Sequence, residues 1–160
     1  MRQINPEHID QLIDLANHAP YLEHLSYKLC ELGTGYSKVE MEIQKKHFSP
    51  LGAVHGGVYA TLIDTAAYWA IYCELDENIG YTTMDLSINY LSVCEKGKII
   101  VEGKSIKIGR NICMAEALAR DTDGRLLVHG TSKLMLLGEK FTIINAVISS
   151  GHPPLPPKFI

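Results

Sequence analysis

The sequence predicts an α+β domain in which an antiparallel sheet of five or six strands wraps around one long central helix. Three observations lead to this prediction. The run 56–73 is apolar on nearly every face and has the length and alanine content of a buried helix. Four later segments alternate between apolar and polar residues, as strands do. The connections between those segments are too short for a crossover helix, which favours antiparallel neighbours.

The composition fits a single soluble globular domain with no nucleic-acid or membrane partner. The chain has 160 residues, 46% of them hydrophobic and 21% charged, and its net charge of -3 gives no reason to expect nucleic acid. No run reaches the roughly 18 apolar residues of a membrane span. The N-terminal residues lack the pattern of a signal peptide. Four separated cysteines without a CxxC pair predict reduced thiols in a cytoplasmic protein and no metal site.

Residues 1–20 predict a short amphipathic helix that lies against the body of the fold. Asn5 followed by Pro6 is a favourable helix start, because the first supplies a cap and the second fits the first helical position. Apolar residues then recur at helical spacing, and Pro20 marks the exit.

The main domain is expected to span 21–140. It opens with two alternating segments around 33–35, which predict a hairpin, and continues through a loop into the central helix. The extension 141–160 ends in the sequence GHPPLPPKFI, whose prolines favour an extended path that packs as neither helix nor sheet. The four later strand candidates are 81–93, 98–109, 112–121 and 125–137.

A single carboxylate, Asp64, stands in the middle of the apolar run. No other residue between Gly56 and Cys73 is charged. A lone buried acid without a basic partner is costly to keep. Two interpretations are open at this point: Asp64 is held in an ordinary core, where it caps a backbone group or pairs with the hydroxyl of Thr61 or Thr65, or it takes part in chemistry.

Three segments together resemble a known family. They are HGGVYATLIDTAAYWA at the start of the central helix, TTMDLSINYLSV in the next strand, and GRNICMAEALARDTDGRLLVHGTSKLML near the end of the sheet. Over roughly residues 25–137 the chain resembles the hotdog-fold acyl-CoA thioesterases of the phenylacetate-pathway and 4-hydroxybenzoyl-CoA type. The resemblance implies the hotdog fold, homodimers as the minimal unit and dimers of dimers above them.

The resemblance also implies an activity. It is the hydrolysis of an acyl-CoA thioester to a free acid and coenzyme A, with no separate cofactor because coenzyme A is part of the substrate. Two alternatives are a non-catalytic acyl-CoA-binding protein and a hotdog dehydratase or hydratase. The HGG start argues against the dehydratase, and the intact Asp64 argues against the binding protein.

The catalytic groups are expected on the central helix and the strand after it. Asp64 can activate a water as general base, or attack the thioester itself. The resemblance implies that the Thr83 hydroxyl helps to orient that water. At the start of the helix the backbone N–H groups are unpaired and the helix dipole favours negative charge, so the Gly56 N–H is the expected oxyanion donor. Gly57 also lets a substrate carbonyl approach closely.

Two further residues precede the helix. The His55 ring either hydrogen-bonds the substrate carbonyl or caps the helix, and the sequence leaves both interpretations open. Ser49 stands where the similar proteins carry Asn or Gln in the loop before HGG, and this position gives it a place in the expected site.

The turn between the second and third of the four later strands has two interpretations. By itself it is a solvated turn. The resemblance places it near the nucleotide end of coenzyme A, where it would contact phosphate, with Lys104 adding charge. Its candidate binding residues are Lys107, Gly109, Arg110 and Asn111.

The spacing of Gly56 and Asp64 predicts an active site shared between two chains. Eight residues separate them, which on one helix is about 12 Å at ~1.5 Å per residue. Both must come within roughly 3 Å of the same reacting group. One chain cannot satisfy this requirement, whereas two antiparallel copies of the helix can, with two active sites per dimer.

Overall fold

The computed structural model describes residues 2–160 and confirms the predicted α+β architecture, with six strands and a central helix. None of the helices within residues 2–160 combines the length and the apolar character that a membrane-spanning helix needs. The helices are α1 Pro6–Asn17, α2 Pro20–Leu25, α3 Gly56–Tyr72 and α4 Ile143–Ser149, with a short 3₁₀ helix at Lys45–His47. The strands are β1 Tyr27–Gly33, β2 Tyr36–Glu42, β3 Tyr81–Tyr90, β4 Lys98–Lys107, β5 Ile112–Arg120 and β6 Leu126–Leu136.

The strands form one antiparallel sheet in the order β1-β2-β4-β5-β6-β3. The predicted hairpin of β1 and β2 is confirmed, and so are the pairs β4–β5 and β5–β6. The expectation that β3 and β4 are neighbours is wrong, because β3 pairs with β6 at the edge and β4 lies between β2 and β5. Residues 91–97 cross the ends of β5 and β6 instead of turning back. An extended chain of that length covers roughly 23 Å, enough to pass two strands.

Helix α3 lies directly on the concave face of the sheet. A Cβ atom at Gly103 of β4 would lie 2.2 Å from the backbone oxygen of Ala66, and one at Gly130 of β6 would lie 2.5 Å from Ile63 Cγ2. The buried Ser37 hydroxyl donates to the same Ala66 carbonyl at 2.6 Å. These contacts fix the height and rotation of α3 on the sheet, and Asp64 lies between them along the helix.

The N-terminal prediction is confirmed for α1 and wrong in one respect. The Asn5 side chain accepts a hydrogen bond from the Glu7 N–H at 3.1 Å, as expected of the cap, and Leu12 is buried against the core. Pro20 does not simply end a helix, because it opens the second short helix α2. Proline at a first helical position has a suitable φ and lacks an N–H group that would have no partner there.

The C-terminal extension packs more closely than the sequence predicted. It contains the helix α4, and Thr142 caps this helix by accepting from the Asn145 N–H at 3.1 Å. The proline-rich tail was expected to avoid sheet pairing, but Phe159 forms an isolated antiparallel bridge with Ile4. The reason is that residues 158–160 follow the last proline and have N–H groups that can pair.

Lys158 in this tail is buried, with only 1% of its surface exposed. Its ammonium donates to the carbonyl oxygens of Tyr72 at 2.5 Å and Leu75 at 2.7 Å, and lies 3.8 Å from the centre of the Tyr72 ring. A cation at this position donates to carbonyls at the C-terminal end of α3 and interacts favourably with the negative end of the helix dipole. Burial lowers the pKa of Lys158 to about 8. The tail therefore holds the C-terminal end of the helix that carries Asp64.

The buried ammonium makes stability depend on pH. The pKa of Lys158 is about 8 in the folded chain and 10.5 ordinarily, so between these values the unfolded chain binds more protons. The contribution of Lys158 to the free energy of unfolding therefore rises with pH through this window. We expect the free energy of unfolding of the wild type, minus that of Lys158→Met, to increase between pH 8 and pH 10 in urea titrations.

The wild type must be compared with Lys158→Met because the buried Cys73 changes the free energy of unfolding with pH in the opposite direction. Burial raises the pKa of its thiol to about 11, so stability is lost as pH rises above the ordinary value of 9. This loss is common to wild type and variant and largely cancels in the difference. A difference that stays constant or falls between pH 8 and pH 10 would contradict the buried-ammonium account.

Candidate active site

Asp64 is half-buried in the middle of α3 and is bonded by a residue from the neighbouring strand. The Thr83 hydroxyl donates to Asp64 Oδ1 at 2.9 Å. Thr61 and Thr65 do not hold Asp64, because their hydroxyls donate to backbone carbonyls one turn earlier in α3. Asp64 Oδ2 has no hydrogen-bond partner within residues 2–160. The structure thus brings together the predicted carboxylate and hydroxyl, with one carboxylate oxygen free.

An irregularity in β3 lies at Thr83. The pairing of β3 with β6 shifts between Thr83 and Asp85, so Met84 has no ladder partner and is half exposed. Such a bulge bends a strand and re-aims the side chains beside it. Thr83 consequently faces α3, while Asp85 faces outward and forms an ion pair with Lys133 at 2.7 Å.

His55 caps the N-terminus of α3. Its Nδ1 accepts a hydrogen bond from the Gly57 N–H at 2.8 Å, so the neutral ring carries its proton on Nε2. The cap interpretation of His55 is confirmed, and Nε2–H is still available as a donor. The Gly56 N–H finds no acceptor in the described part of the chain. The helix therefore begins with an unpaired donor at the position predicted for the oxyanion.

Tyr90 is a functional candidate that the sequence did not single out. At the end of β3, its hydroxyl donates to the Gly56 carbonyl at 3.0 Å. A Cβ atom at Gly56 would lie 3.2 Å from the same hydroxyl, so the glycine allows this close contact. The residue belongs to the motif TTMDLSINYLSV, but its contact joins positions 34 residues apart and becomes visible only in the fold.

Ser49 lies at the same end of the fold as the helix start. Its N–H donates to the Ala53 carbonyl at 2.8 Å, and its hydroxyl accepts from the Leu51 N–H at 3.2 Å. The Ser49 side chain thereby stabilises the turn that leads into His55. Ser49 therefore lies in the loop just before the helix, while its expected role in catalysis stays a prediction.

The turn between β4 and β5 presents unpaired positive charge. Its side chains are exposed, and a Cβ atom at Gly109 would collide with the Ile112 carbonyl at 2.2 Å. None of the cations there forms an ion pair with another described residue. Residues 2–160 contain no cluster of three or more metal-ligating side chains. The exposed polar and cationic residues of this end are Lys104, Lys107, Arg110 and Asn111.

The predicted site residues fall into two groups at opposite ends of the fold. Thr83 lies level with the start of β5 in the strand register, as the turn 107–111 does, while Tyr90 and the Gly56 that it contacts lie level with the end of β5. Seven residues of strand separate Thr83 from Tyr90, about 23 Å at ~3.3 Å per residue. A single chain therefore does not bring the Gly56 N–H to the Asp64 carboxylate.

Known proteins match this chain over its central region. A family model described as Thioesterase superfamily matches residues 51–128. Acyl-coenzyme A thioesterase 13 of Mus musculus is 30% identical over 93 residues, which is 57% of this chain and 66% of the mouse protein. The chain thus spans about two thirds of the length of this relative.

Two solved structures share the hotdog arrangement of the sheet and helix. A thioesterase from Haemophilus influenzae superposes with a TM-score of 0.76 at 23% identity, covering 82% of this chain and 92% of that one. A hypothetical thioesterase from Streptococcus pneumoniae, solved with coenzyme A, gives a TM-score of 0.65 at 21% identity, covering 70% and 86%. These likenesses establish the fold.

The capping role of His55 is testable by stability. Replacing His55 by Ala removes the acceptor for the Gly57 N–H, and we expect the free energy of unfolding to fall by about 1 kcal/mol in urea titrations. His55→Asn keeps a side-chain acceptor at the cap and should retain most of that stability. Equal stability of His55→Ala and the wild type would contradict the capping role.

Proposed function

We propose that this chain is a thioester hydrolase of the thioesterase superfamily and that it converts acyl-coenzyme A thioesters to a free carboxylic acid and coenzyme A. The observation that carries the proposal is the hydrogen bond from Thr83 to the lone carboxylate of Asp64 within an apolar helix. The names of the relatives support the substrate class, since the mouse protein is an acyl-coenzyme A thioesterase and the pneumococcal protein was solved with coenzyme A.

Asp64 supplies the base. With Oδ1 held by Thr83, the free Oδ2 takes a proton from a water molecule as the water oxygen attacks the thioester carbonyl. The resulting tetrahedral intermediate collapses by breaking the carbon–sulfur bond, and the coenzyme A thiolate leaves and takes up the proton that Asp64 accepted from the water, which restores the carboxylate. Direct attack by Asp64, through a mixed anhydride that water then hydrolyses, is the second route open to this carboxylate.

The oxyanion of the intermediate is stabilised at the start of α3 in a second copy of the chain. The Gly56 N–H has no other acceptor in residues 2–160, and the dipole at a helix N-terminus favours negative charge. The Nε2–H of His55 is a second donor at the same place, because Nδ1 is occupied by the Gly57 N–H.

The free edge of β3 supports a homodimer that brings the two groups together. Edge strands offer unpaired backbone groups, and this one also exposes apolar side chains: Met84 is 50% exposed, Tyr90 55% and Leu91 55%. Antiparallel pairing of two β3 strands about their midpoint sets Tyr90 of one copy opposite Tyr81 of the other. The Gly56 that Tyr90 contacts then approaches the Asp64–Thr83 end of the opposite chain.

Antiparallel helices lead to the same arrangement. When Gly56 of one α3 lies against Asp64 of the other, the two helices cross the two-fold axis at residue 60, midway between these two positions. Strand and helix thus require one two-fold axis, and that axis generates two equivalent active sites per dimer. The free β3 edge therefore supports the arrangement that the spacing of Gly56 and Asp64 along α3 requires.

The turn between β4 and β5 is the proposed contact for the nucleotide phosphates. It lies at the Thr83 end of the sheet, and its cations have no acidic partner among the described residues. Guanidinium and ammonium groups free of ion pairs are suitable donors to phosphate oxygens. Gly109 shapes the turn, and Lys107, Arg110 and Asn111 are the proposed contacts, with Lys104 adding charge.

We also propose a dimer of dimers in the cytoplasm. Exposed apolar side chains at one end of the sheet, outside the β3 edge, are suited to a second contact between chains; they include Ile106 at 50% and Met135 at 41% exposure. All four cysteines are free thiols, as is common in a reducing compartment.

The central role of Asp64 predicts a large loss of turnover on substitution. Asp64→Asn keeps the shape of the side chain but removes the base, and we expect kcat on an acyl-CoA panel to fall by at least ~100-fold. The matched control is Asp10→Asn at an exposed position of α1, far from the β3 edge, which we expect to leave kcat unchanged.

The assay also separates the alternatives. Full activity of Asp64→Asn would contradict the proposed role of the carboxylate. Tight binding of acyl-CoA by the wild type without any turnover across a broad panel would favour a non-catalytic binding protein. Release of free thiol, detected with a thiol reagent, distinguishes hydrolysis from hydration of the acyl chain.

A further inference from the structure

A groove opens between α4 and the C-terminal half of α3. We name it the α4 groove, and its walls are mainly apolar. Helix α4 lies outside residues 51–128, the part of the chain that matches the family. One wall of the groove is therefore supplied by the chain's own C-terminal extension. The principal lining residues are Tyr68, Tyr81, Leu137, Phe141, Ile143 and Ala146.

Two residues that line the α4 groove are close neighbours of the catalytic pair in the chain. Tyr68 lies one helical turn after Asp64, which is about 6 Å along α3. Thr82, another lining residue, directly precedes Thr83 in β3. A substrate whose carbonyl lies at Asp64 can therefore extend its acyl group from the reacting centre into the groove.

The chemistry of the walls selects an uncharged apolar occupant. None of the residues that line the groove is charged. The ring of Tyr68 is stacked on the buried ring of Tyr81, with their centres 4.3 Å apart, and this packing makes the Tyr68 wall rigid. A charged acyl group, such as a dicarboxylic one, would lose its hydration here without gaining a partner.

Phe141 at the rim of the groove is held in an unfavourable backbone conformation. Its φ is 54°, in the left-handed region that glycine adopts without strain, and its side chain is 79% exposed. A large exposed aromatic residue at such a position neither relieves strain nor fills the core. Conformational strain of this kind is concentrated at ligand sites, where the side chain has a use.

We propose that the α4 groove holds the acyl chain of the thioester, and that the enzyme prefers octanoyl and longer uncharged acyl groups over acetyl and butyryl. The inference rests on the proposed hydrolysis at Asp64 and adds the acyl specificity. Helix α4 extends about 10 Å along the groove, so a short acyl group leaves most of the apolar wall uncovered.

The proposal is tested by a substitution on α4 that places a large side chain in the groove. Ala146 is exposed and lines the groove, so Ala146→Phe occupies its space without disturbing the core. We expect the ratio of kcat/KM for dodecanoyl-CoA to kcat/KM for acetyl-CoA to fall at least ~10-fold in this variant, because an acetyl group is too short to extend along α4. Ile148→Phe is the matched control, because Ile148 is exposed on α4 but does not line the groove.

A second variant separates function from structure. Phe141→Gly relieves the left-handed strain and loses little buried surface, so we expect the midpoint of thermal unfolding to rise. The same change removes an apolar rim from the groove, so we expect kcat/KM for dodecanoyl-CoA to fall. A merely structural Phe141 would not give a more stable protein with a lower preference for long chains.

Several outcomes decide the inference independently of catalysis. Binding of free dodecanoate can be measured by calorimetry. Binding that Ala146→Phe abolishes and Ile148→Phe retains would support the α4 groove as the acyl site. If the same protein hydrolysed no acyl-CoA, that result would overturn the proposed function but not the groove. Hydrolysis with the same kcat/KM for all chain lengths would overturn the inference and leave the proposed function intact. Dissociation of Ala146→Phe into monomers with unchanged chain-length preference would assign the groove to a second copy and also overturn it.

Discussion

The close packing of α3 on the sheet is the constraint on which the site depends. Two strand glycines let the helix backbone and the Ile63 side chain approach within distances that no Cβ atom would tolerate. The Ser37 hydroxyl joins strand and helix at the same level. A helix held in this way cannot rotate or slide, so Asp64 keeps one direction and one height relative to β3. The hydrogen bond from Thr83 follows from this fixed position.

A rigid helix also fixes the distance between the two catalytic ends. The donor at its first residue and the carboxylate two turns later cannot approach one another within one chain, since an α-helix does not compress. The Lys158 ammonium at the C-terminal end and the His55 ring at the N-terminal end both hold the termini in place. The distance between the Gly56 N–H and the Asp64 carboxylate prevents both from serving one site within a single chain. Two antiparallel copies of α3 with the same distance can bring each donor to the carboxylate of the other chain.

The sequence predicts those parts of the fold that depend on local pattern. Period-two alternation identified the strands, and an apolar run of helical length identified α3, because burial on one or all faces leaves a direct trace in residue order. The pairing of β3 with β6 could not be predicted from loop length, since a seven-residue link can either turn back or cross two strands. Helix α4 is short, and its apolar residues alone do not distinguish a helix from a strand.

Contacts between distant positions were also beyond local reasoning. The Asp64–Thr83 pair was expected only through the family resemblance, and the link from Tyr90 to Gly56 was not expected at all. The tail was predicted to be extended, yet a lysine within it caps a helix that ends 86 residues earlier. Such contacts arise when the fold brings separate segments together, and no periodicity in the sequence records them.

The most direct measurement of the shared site is the activity of a mixed dimer. One chain carries Asp64→Asn and the other carries Gly56→Pro, which removes the N–H at a first helical position where proline fits. His55 before it has a ψ of 138°, which suits a residue that precedes proline. Gly56→Ala is the matched control, because it adds a Cβ atom but keeps the N–H.

Each variant homodimer should be inactive, and the purified mixed dimer should recover about half of the wild-type activity, since one of its two sites pairs an intact Asp64 with an intact Gly56. A mixed dimer as inactive as its two parents, alongside an active Gly56→Ala dimer, would show that the site does not combine Asp64 and Gly56 from different chains.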